Sequence, residues 1–212
     1  MDNDLTLLFV TAGERPAKWV EFHEQMLQSL PYPKIVLHDE QKMGYEMIYR
    51  RMLEGANRCD TPYVAVIEDD VLYPIEHFYY RPDMDTFAYN QHRWAILTWE
   101  GKTYSWRNRK SNCSLIAPRE LLIEALEERF AKWPNGIPKE WCGELGRANV
   151  DRWLKVTPRK SVEWYSKIGL VQINHDDASE DRQKRHRKDL GPVKAYDIPR
   201  WGRADELVQR WA

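Results

Sequence analysis

Apolar and polar positions follow two rhythms over the first seventy residues of the chain. LTLLFVT (5–11) is a short apolar run without helical period, the pattern of a buried strand; KIVLHDE (34–40) reads as a second strand, and YVAVIEDD (63–70) as a third whose apolar part suits burial. Between them, Trp19, Val20, Met26, Leu27 and Leu30 form a helical stripe that begins just after Pro16. A second stripe, Tyr45, Ile48, Tyr49, Met52, Leu53 and Ala56, recurs at three- and four-residue steps. The order β-α-β-α-β predicts an α/β fold with parallel strands and right-handed crossovers. The second half is less regular. RWAILTWEG (93–101) and NCSLIAP (112–118) read as strands, RELLIEALEERFAKW (119–133) as an amphipathic helix, and WPNGIPKEWCGELG (133–146) as a loop broken by Gly and Pro. RANVDRWLKV (147–156) reads as a short helix and SKIGLVQINH (166–175) as a last strand. From 176 onward the composition is polar and no element is expected.

The 212 residues contain no repeat and no linker that would separate independent domains, so one domain is expected over 1–212. It divides into a half over 1–100, a second half over 101–178 and a mobile basic tail over 179–212. No apolar run approaches the ~18–20 residues of a membrane span. The N-terminal MDNDLTLLFVT lacks the basic start of a leader. Cys59, Cys113 and Cys142 are odd in number and far apart, which argues against a disulfide framework and a cysteine zinc site. A cytoplasmic location is the expectation. The net charge of −1 hides an asymmetry: 9 Lys and Arg stand against 17 Asp and Glu in 1–100, and 23 against 16 in 101–212. A basic second half suits an acidic partner, although RQKRHRK (182–188) alone could be a solvated tail.

The chemistry concentrates in VIEDDV. Three acids end an apolar strand, and burying carboxylates costs several kcal/mol apiece unless something compensates them. In open sheets of this type ligands bind beyond the carboxyl ends of the strands. The triplet therefore points into the expected site.

Taken together, the β-α-β-α-β start, VTAGERP after the first strand, LHDE ending the second and VIEDDV ending the third resemble a GT-A glycosyltransferase. The similarity is to the metal-dependent, nucleotide-sugar group that includes the family 2 enzymes. It covers the first hundred residues well and the rest loosely. The resemblance implies a mixed, mainly parallel sheet flanked by helices. It also implies a nucleotide diphosphate sugar as donor, with a UDP-sugar expected, and Mn²⁺ or Mg²⁺ bridging the diphosphate. By position, Asp70 would ligate the metal, Glu68 would hold the ribose or a metal-bound water, and Asp69 would support one or the other. Glu68 departs from the aspartate most common there. Thr11, Ala12, Gly13 and Arg15 would cradle the nucleotide, with Asp39 near the base and Arg50 or Arg51 near the diphosphate. His175, ending the last strand, would be an extra metal ligand. Arg182, Lys184 and Arg185 would close over the diphosphate. For an inverting transfer the base would be a carboxylate in WCGELGRANVDRWL, with Glu144 ahead of Asp151. Each of these residues also has a plain structural reading: a strand-end turn for Asp39, a surface arginine for Arg50 or Arg51, a helix-start acid for Glu144 or Asp151.

For the acceptor, flat aromatics stack on sugars and on bases alike. Trp94, Trp99, Tyr104, Trp106 and Trp141 flank the acceptor side, and Arg107, Arg109 and Lys110 interleave with them in YSWRNRKSN. That mixture suits a nucleic-acid backbone with stacked bases. The specific expectation is a 5-hydroxymethylpyrimidine in DNA, as in phage base modification. A cell-surface glycan or a lipid-linked acceptor is the alternative. Two other classes stay open: a nucleotidyltransferase, although VTAGERP lacks the repeated glycines and lysine of its usual loop, and a non-catalytic nucleic-acid-binding module, which leaves the acid triplet unexplained.

Overall fold

The computed structural model describes residues 4–11, 15–38, 46–98, 104–107, 109–175 and 194–211, without the side chains of 104–107 and 194. The apolar runs form the strands they predict. β1 (Leu5–Thr11), β2 (Lys34–His38) and β3 (Tyr63–Glu68) are parallel neighbours in the order β2-β1-β3. Helices α1 (Ala17–Gln28) and α2 (Met47–Arg58) make the two crossovers.

The large sheet then continues through strands that the sequence pattern shows only in part. β8 (Leu115–Pro118) pairs antiparallel with β3, β5 (Thr86–Asn90) pairs antiparallel with β8, and β9 (Lys160–Trp164) lies parallel to β5. Five of the six strands thus run the same way, a mixed and mainly parallel sheet as expected. NCSLIAP is only half strand: Asn112–Ser114 form a 3₁₀ turn before β8. Helix α3 (Arg119–Lys132) follows β8, and α4 (Ala148–Leu154) ends where Lys155 takes a left-handed φ of 55°.

Both faces of the sheet are covered. Leu8, Val10, Val64 and Val66 point to one side, against Tyr49, Met52 and Ala56 of α2 and Leu122 and Leu126 of α3. Leu5, Leu7, Ala65 and Ile67 point to the other, against Leu27, Leu30, Tyr73 and Phe78. Gly55 lets α2 settle onto the sheet, because a Cβ there would stand 2.8 Å from Leu37 Cδ1 and 3.0 Å from Leu8 Cδ2.

A second, smaller sheet stands beyond the first. It contains β4 (Val71–Leu72), β6 (Arg93–Leu97), β7 (Tyr104–Arg107), β10 (Leu170–Asn174) and β11 (Lys194–Ala195), in the order β11-β7-β6-β10-β4. The chain passes from the large sheet to the small one at Asp69 and Asp70, between β3 and β4, and again at Gln91 and His92, between β5 and β6. The acid turn is therefore a junction between sheets.

The C-terminal region differs from expectation. Residues 194–211 carry β11, the β12 (Asp197–Ile198) and β13 (Gly202–Arg203) hairpin, and α5 (Ala204–Trp211). Ala204, Leu207, Val208 and Trp211 fall at helical spacing and pack with Trp19, Leu72, Ile96 and Val171 in a third apolar cluster. The signal is present in the sequence, but two turns long and set in a polar tail. Arg182, Lys184 and Arg185 lie outside the described residues.

Candidate functional site

The acid turn is pinned by its backbone. Trp19 Nε1 on α1 donates to the Asp69 carbonyl at 2.7 Å, and the Ile173 amide on β10 donates to the Asp70 carbonyl at 2.8 Å. His23 Nε2 on α1 lies 2.9 Å from the Val71 carbonyl. On the other flank the Glu68 amide donates to the Tyr73 hydroxyl at 2.9 Å, which in turn donates to the Cys113 carbonyl at 3.0 Å. Three elements thus hold four consecutive residues in place.

The three carboxylates divide the work. Asp69 is committed to the protein: Thr11 Oγ1 donates to its Oδ2 at 2.7 Å, and Arg15 Nε and Nη2 both reach its Oδ1 at 3.0 Å. It ties the end of β1 to the start of α1. Asp70 is 6% exposed, and its Oδ1 has no hydrogen-bond partner among the described residues. Glu68 is half-buried beside it. Burial, with Asp69 nearby, pushes the Asp70 carboxyl up to about 7, only partly offset by Arg15 and Gln172. Burial and the repulsion of Asp70 and Asp69 push Glu68 up to about 8, against the pull of Arg93 and Arg15. Two acids that resist ionising side by side, one with a bare buried oxygen, form a donor set that suits a hard divalent cation.

The expected third ligand does not complete a cage. His175 directly follows β10 and is buried, with the Trp211 ring stacked on its imidazole at 4.7 Å and 30°. Among the described residues no three His, Cys, Asp or Glu side chains converge into a ready-made metal centre. Glu68, Asp70 and His175 therefore do not form the three-ligand set that the resemblance implies. Two carboxylates fit the way Mg²⁺ is usually held, by one or two carboxylates, waters and the phosphates of a substrate.

Other expected residues stand elsewhere or apart. Ala12, Gly13, Asp39 and Trp99 lie outside the described residues. Arg50 bonds Glu46 through Nε at 2.6 Å and lies 4.4 Å over the Phe130 ring, while Arg51 pairs with Glu54 at 2.6 Å. Both are tied to partners on and beside α2. Asp151 is 1% exposed and is bound by Arg129 Nη2 at 3.2 Å and the Arg159 amide at 3.3 Å. That is the setting of a structural ion pair, since a base must meet its substrate. Glu144 is the more accessible of the two acids, and Arg147 pairs with it at 2.6 Å. Its loop is held by Arg129, which donates to the Gly143 carbonyl at 2.8 Å and to the Glu144 carbonyl at 3.4 Å. Trp141 packs edge-on against Trp133 at 5.5 Å, in a satellite core with Ile137, Val150 and Leu154. Trp94 is buried in the third apolar cluster. Trp106 and Arg107 lie on β7, between β6 and β11, and Arg109 is exposed just after it.

Five residues around the acid turn escape the sequence reading. Trp19 and His23 resemble ordinary members of an amphipathic stripe. Arg93 opens an apolar strand, where a charge normally marks a surface end, yet it is 1% exposed. Gln172 sits in an apolar strand, and Trp211 belongs to the polar tail. Trp211 reaches back to the site: its ring lies 5.1 Å from that of Trp19 and 5.8 Å from the Arg15 guanidinium.

No protein-family model matches the sequence, and no curated protein matches it. Solved structures do match the fold. A glycosyltransferase involved in the glycosylation of the major capsid of PBCV-1 superimposes with a TM-score of 0.50 at 8% identity, over 86% of this chain and 97% of that one. Protein A197 from STIV matches at a TM-score of 0.39 and 12% identity, over 82% and 97% of the two chains. The inositol-1-phosphate CTP transferase from T. maritima matches at 0.40 and 11%, over 88% and 76%. At 8% identity, what this chain shares with the PBCV-1 glycosyltransferase is its Rossmann-like fold.

Proposed function

We propose that the chain is a metal-assisted glycosyltransferase that takes a sugar from a nucleoside diphosphate donor, with a UDP-sugar as the donor to try first. The observation that carries this reading is the acid turn at the carboxyl end of β3. There Asp70 presents a buried, unpartnered oxygen beside Glu68 while Asp69 is locked to Thr11 and Arg15. Asp70 and Glu68 would hold Mn²⁺ or Mg²⁺, which supplies charge stabilisation for the departing diphosphate. The fold shared with the PBCV-1 glycosyltransferase supports the reading. In this scheme Thr11 and Arg15 set the Asp69 side chain. Glu144 takes the proton of the acceptor hydroxyl in an inverting displacement.

For the acceptor we propose a 5-hydroxymethylpyrimidine in DNA. Support comes from the basic balance of residues 101–212, 23 Lys and Arg against 16 Asp and Glu, and from the aromatic and cationic residues of β7 and its continuation. Calorimetric titration of UDP with Mn²⁺ tests the donor half: the wild type should bind only with metal, and Asp70→Ala should not bind. Unchanged affinity in Asp70→Ala would refute the metal assignment. Incubation with a panel of nucleotide sugars and hydroxymethylated or unmodified DNA, followed by digestion and nucleoside mass spectrometry, tests the acceptor. A sugar mass on the hydroxymethylated base alone supports DNA. No added mass with any donor returns the choice to a glycan or lipid-linked acceptor.

A further inference from the structure

Resting on the cation site proposed above, we infer that Trp211 is a positioning residue that sets the spacing of two clamps on the acid turn. The clamps come from different elements. Trp19 Nε1 of α1 donates to the Asp69 carbonyl at 2.7 Å, and the Ile173 amide of β10 donates to the Asp70 carbonyl at 2.8 Å. Trp211 of α5 touches both elements. Its ring meets the Trp19 ring edge-on at 5.1 Å and 62°. It also stacks, at 4.7 Å and 30°, on the imidazole of His175, which directly follows β10. The Arg15 guanidinium, whose Nε and Nη2 reach Asp69 Oδ1 at 3.0 Å, lies 5.8 Å from the centre of the same ring. One side chain therefore rests on the residue that binds the Asp69 carbonyl, on the residue that binds the Asp69 carboxylate, and against the end of the strand that binds the Asp70 carbonyl.

These contacts favour a set spacing over loose apolar packing. Trp19 is fully buried and its indole has a single donor, so a turn of its ring breaks the bond to Asp69. Aromatic pairs prefer particular distances and angles, and they contribute beyond the area they bury. A ring that satisfies Trp19 and His175 together fixes how far α1 stands from the end of β10. The helix that supplies it depends on that docking. Eight residues are too few to stay helical in water alone, so α5 holds its shape by packing on the protein. Ala204 and Leu207 join Trp19 and Val171 in the third apolar cluster, and Arg210 lies 4.5 Å over the Phe22 ring of α1. Within that docked face, Trp211 carries the contacts to Arg15 and His175.

The test compares Trp211→Leu with Trp211→Phe. Both are apolar and smaller than tryptophan, but only phenylalanine keeps a flat face for His175 and Arg15. Two readings are taken on the 212-residue chain. Without metal or nucleotide, NMR follows hydrogen exchange of the Trp19 indole N–H and the Ile173 amide, with the amides of β1 and β3 as reference. With UDP present, free Mn²⁺ is counted by electron paramagnetic resonance. In Trp211→Leu both clamp protons should exchange faster by about tenfold or more while β1 and β3 change little. Its Mn²⁺ affinity should fall by about tenfold, the lower end for partners that orient metal ligands. Trp211→Phe should recover most of both losses. Wild-type exchange at the two clamps in Trp211→Leu would overturn the inference. So would faster exchange spread evenly over β1 and β3, which marks a general contribution to stability. An equal Mn²⁺ loss in both variants would mark bulk packing and overturn it too, as would faster clamp exchange with wild-type Mn²⁺ affinity. Should Trp211→Leu not fold, Trp211→Met decides by the same readings. A wild type that binds no Mn²⁺ with UDP refutes the proposed function instead, while the exchange rates still decide whether Trp211 spaces the clamps.

Discussion

Asp70→Asn should make the metal-free protein more stable, and more so as the pH rises. Asp70 has an ordinary carboxyl value of 3.8 and is held at about 7 by burial and by Asp69. A folded-state value above the unfolded one means that ionisation opposes folding. The penalty is absent below about pH 4, grows as pH rises, and is complete above about pH 7. A tenfold difference in proton affinity between the folded and unfolded chains is worth about 1.4 kcal/mol. The full penalty is therefore on the order of 4 kcal/mol near pH 8 and about 2 kcal/mol near pH 5. Asparagine keeps the shape and removes the charge. It also relieves Glu68, which Asp70 repels. Urea unfolding of both proteins with a chelator present, near pH 5 and near pH 8, should show Asp70→Asn ahead at both values and by about 2 kcal/mol more at the higher one. A pH-independent difference between the two proteins would refute the reasoning, because it would mean that Asp70 ionises freely in the folded state. The same substitution should weaken Mn²⁺ binding. A stabilised protein that has lost its ligand is the signature of a functional site.

Four further outcomes follow from the same geometry. Because Asp70 and Glu68 hold protons to about 7 and about 8, Mn²⁺ with UDP should bind more tightly as pH rises to about 8 and no further, with buffer-dependent calorimetric heats that report released protons; flat affinity and buffer-independent heats would count against it. Thr11→Val should cost about 1 kcal/mol in urea unfolding by removing the Thr11 hydroxyl bond to Asp69 Oδ2, and an unchanged midpoint would mean that this bond adds nothing to stability. Glu144→Gln should lower kcat by about 10²–10⁴-fold with little change in midpoint. Asp151→Ala should destabilise the fold by about 3–5 kcal/mol, since it strands the buried Arg129. The reverse pattern would exchange the roles of Glu144 and Asp151.

The first half of the fold was legible because β1 and β3 are buried on both faces and so read as apolar runs, with the edge strand β2 set between two helical stripes. β5, at Thr86–Asn90, and β9, at Lys160–Trp164, carry no such run. β9 mixes half-buried and exposed positions at the sheet's edge, and β5 is defined by its neighbours rather than by its own pattern. The acid triplet announced a site, yet its division of labour was hidden. Asp69 is claimed by Thr11 and Arg15, which lie 58 and 54 residues away, and no local spacing reports such a pairing. Asp151 shows the converse. A helix-start acid beside a tryptophan suits a general base on paper, but α3 brings Arg129 against it and turns it into a core ion pair. Arg93 was invisible for the same reason, because its partner Gln172 comes from β10, 79 residues later.

The position of the acid turn between two sheets explains how such unfavourable carboxylates can persist. An acid cluster at an ordinary loop tip would rotate into water and lose its strain. Here Asp69 and Asp70 are the step by which the chain leaves β3 and enters β4, so their backbone cannot move without disturbing both sheets. Trp19, Ile173 and Tyr73 fix that backbone from α1, from β10 and from the segment after β4. The free energy stored in crowding Glu68 against Asp70 is therefore not dissipated by local motion. A cation bound at the proposed site would release it by neutralising the pair, which is how strain held by a rigid frame favours a ligand. The rigidity must come from residues outside the acid triplet. This is why the aromatic and amide partners on α1 and β10 belong to the site as much as the carboxylates do.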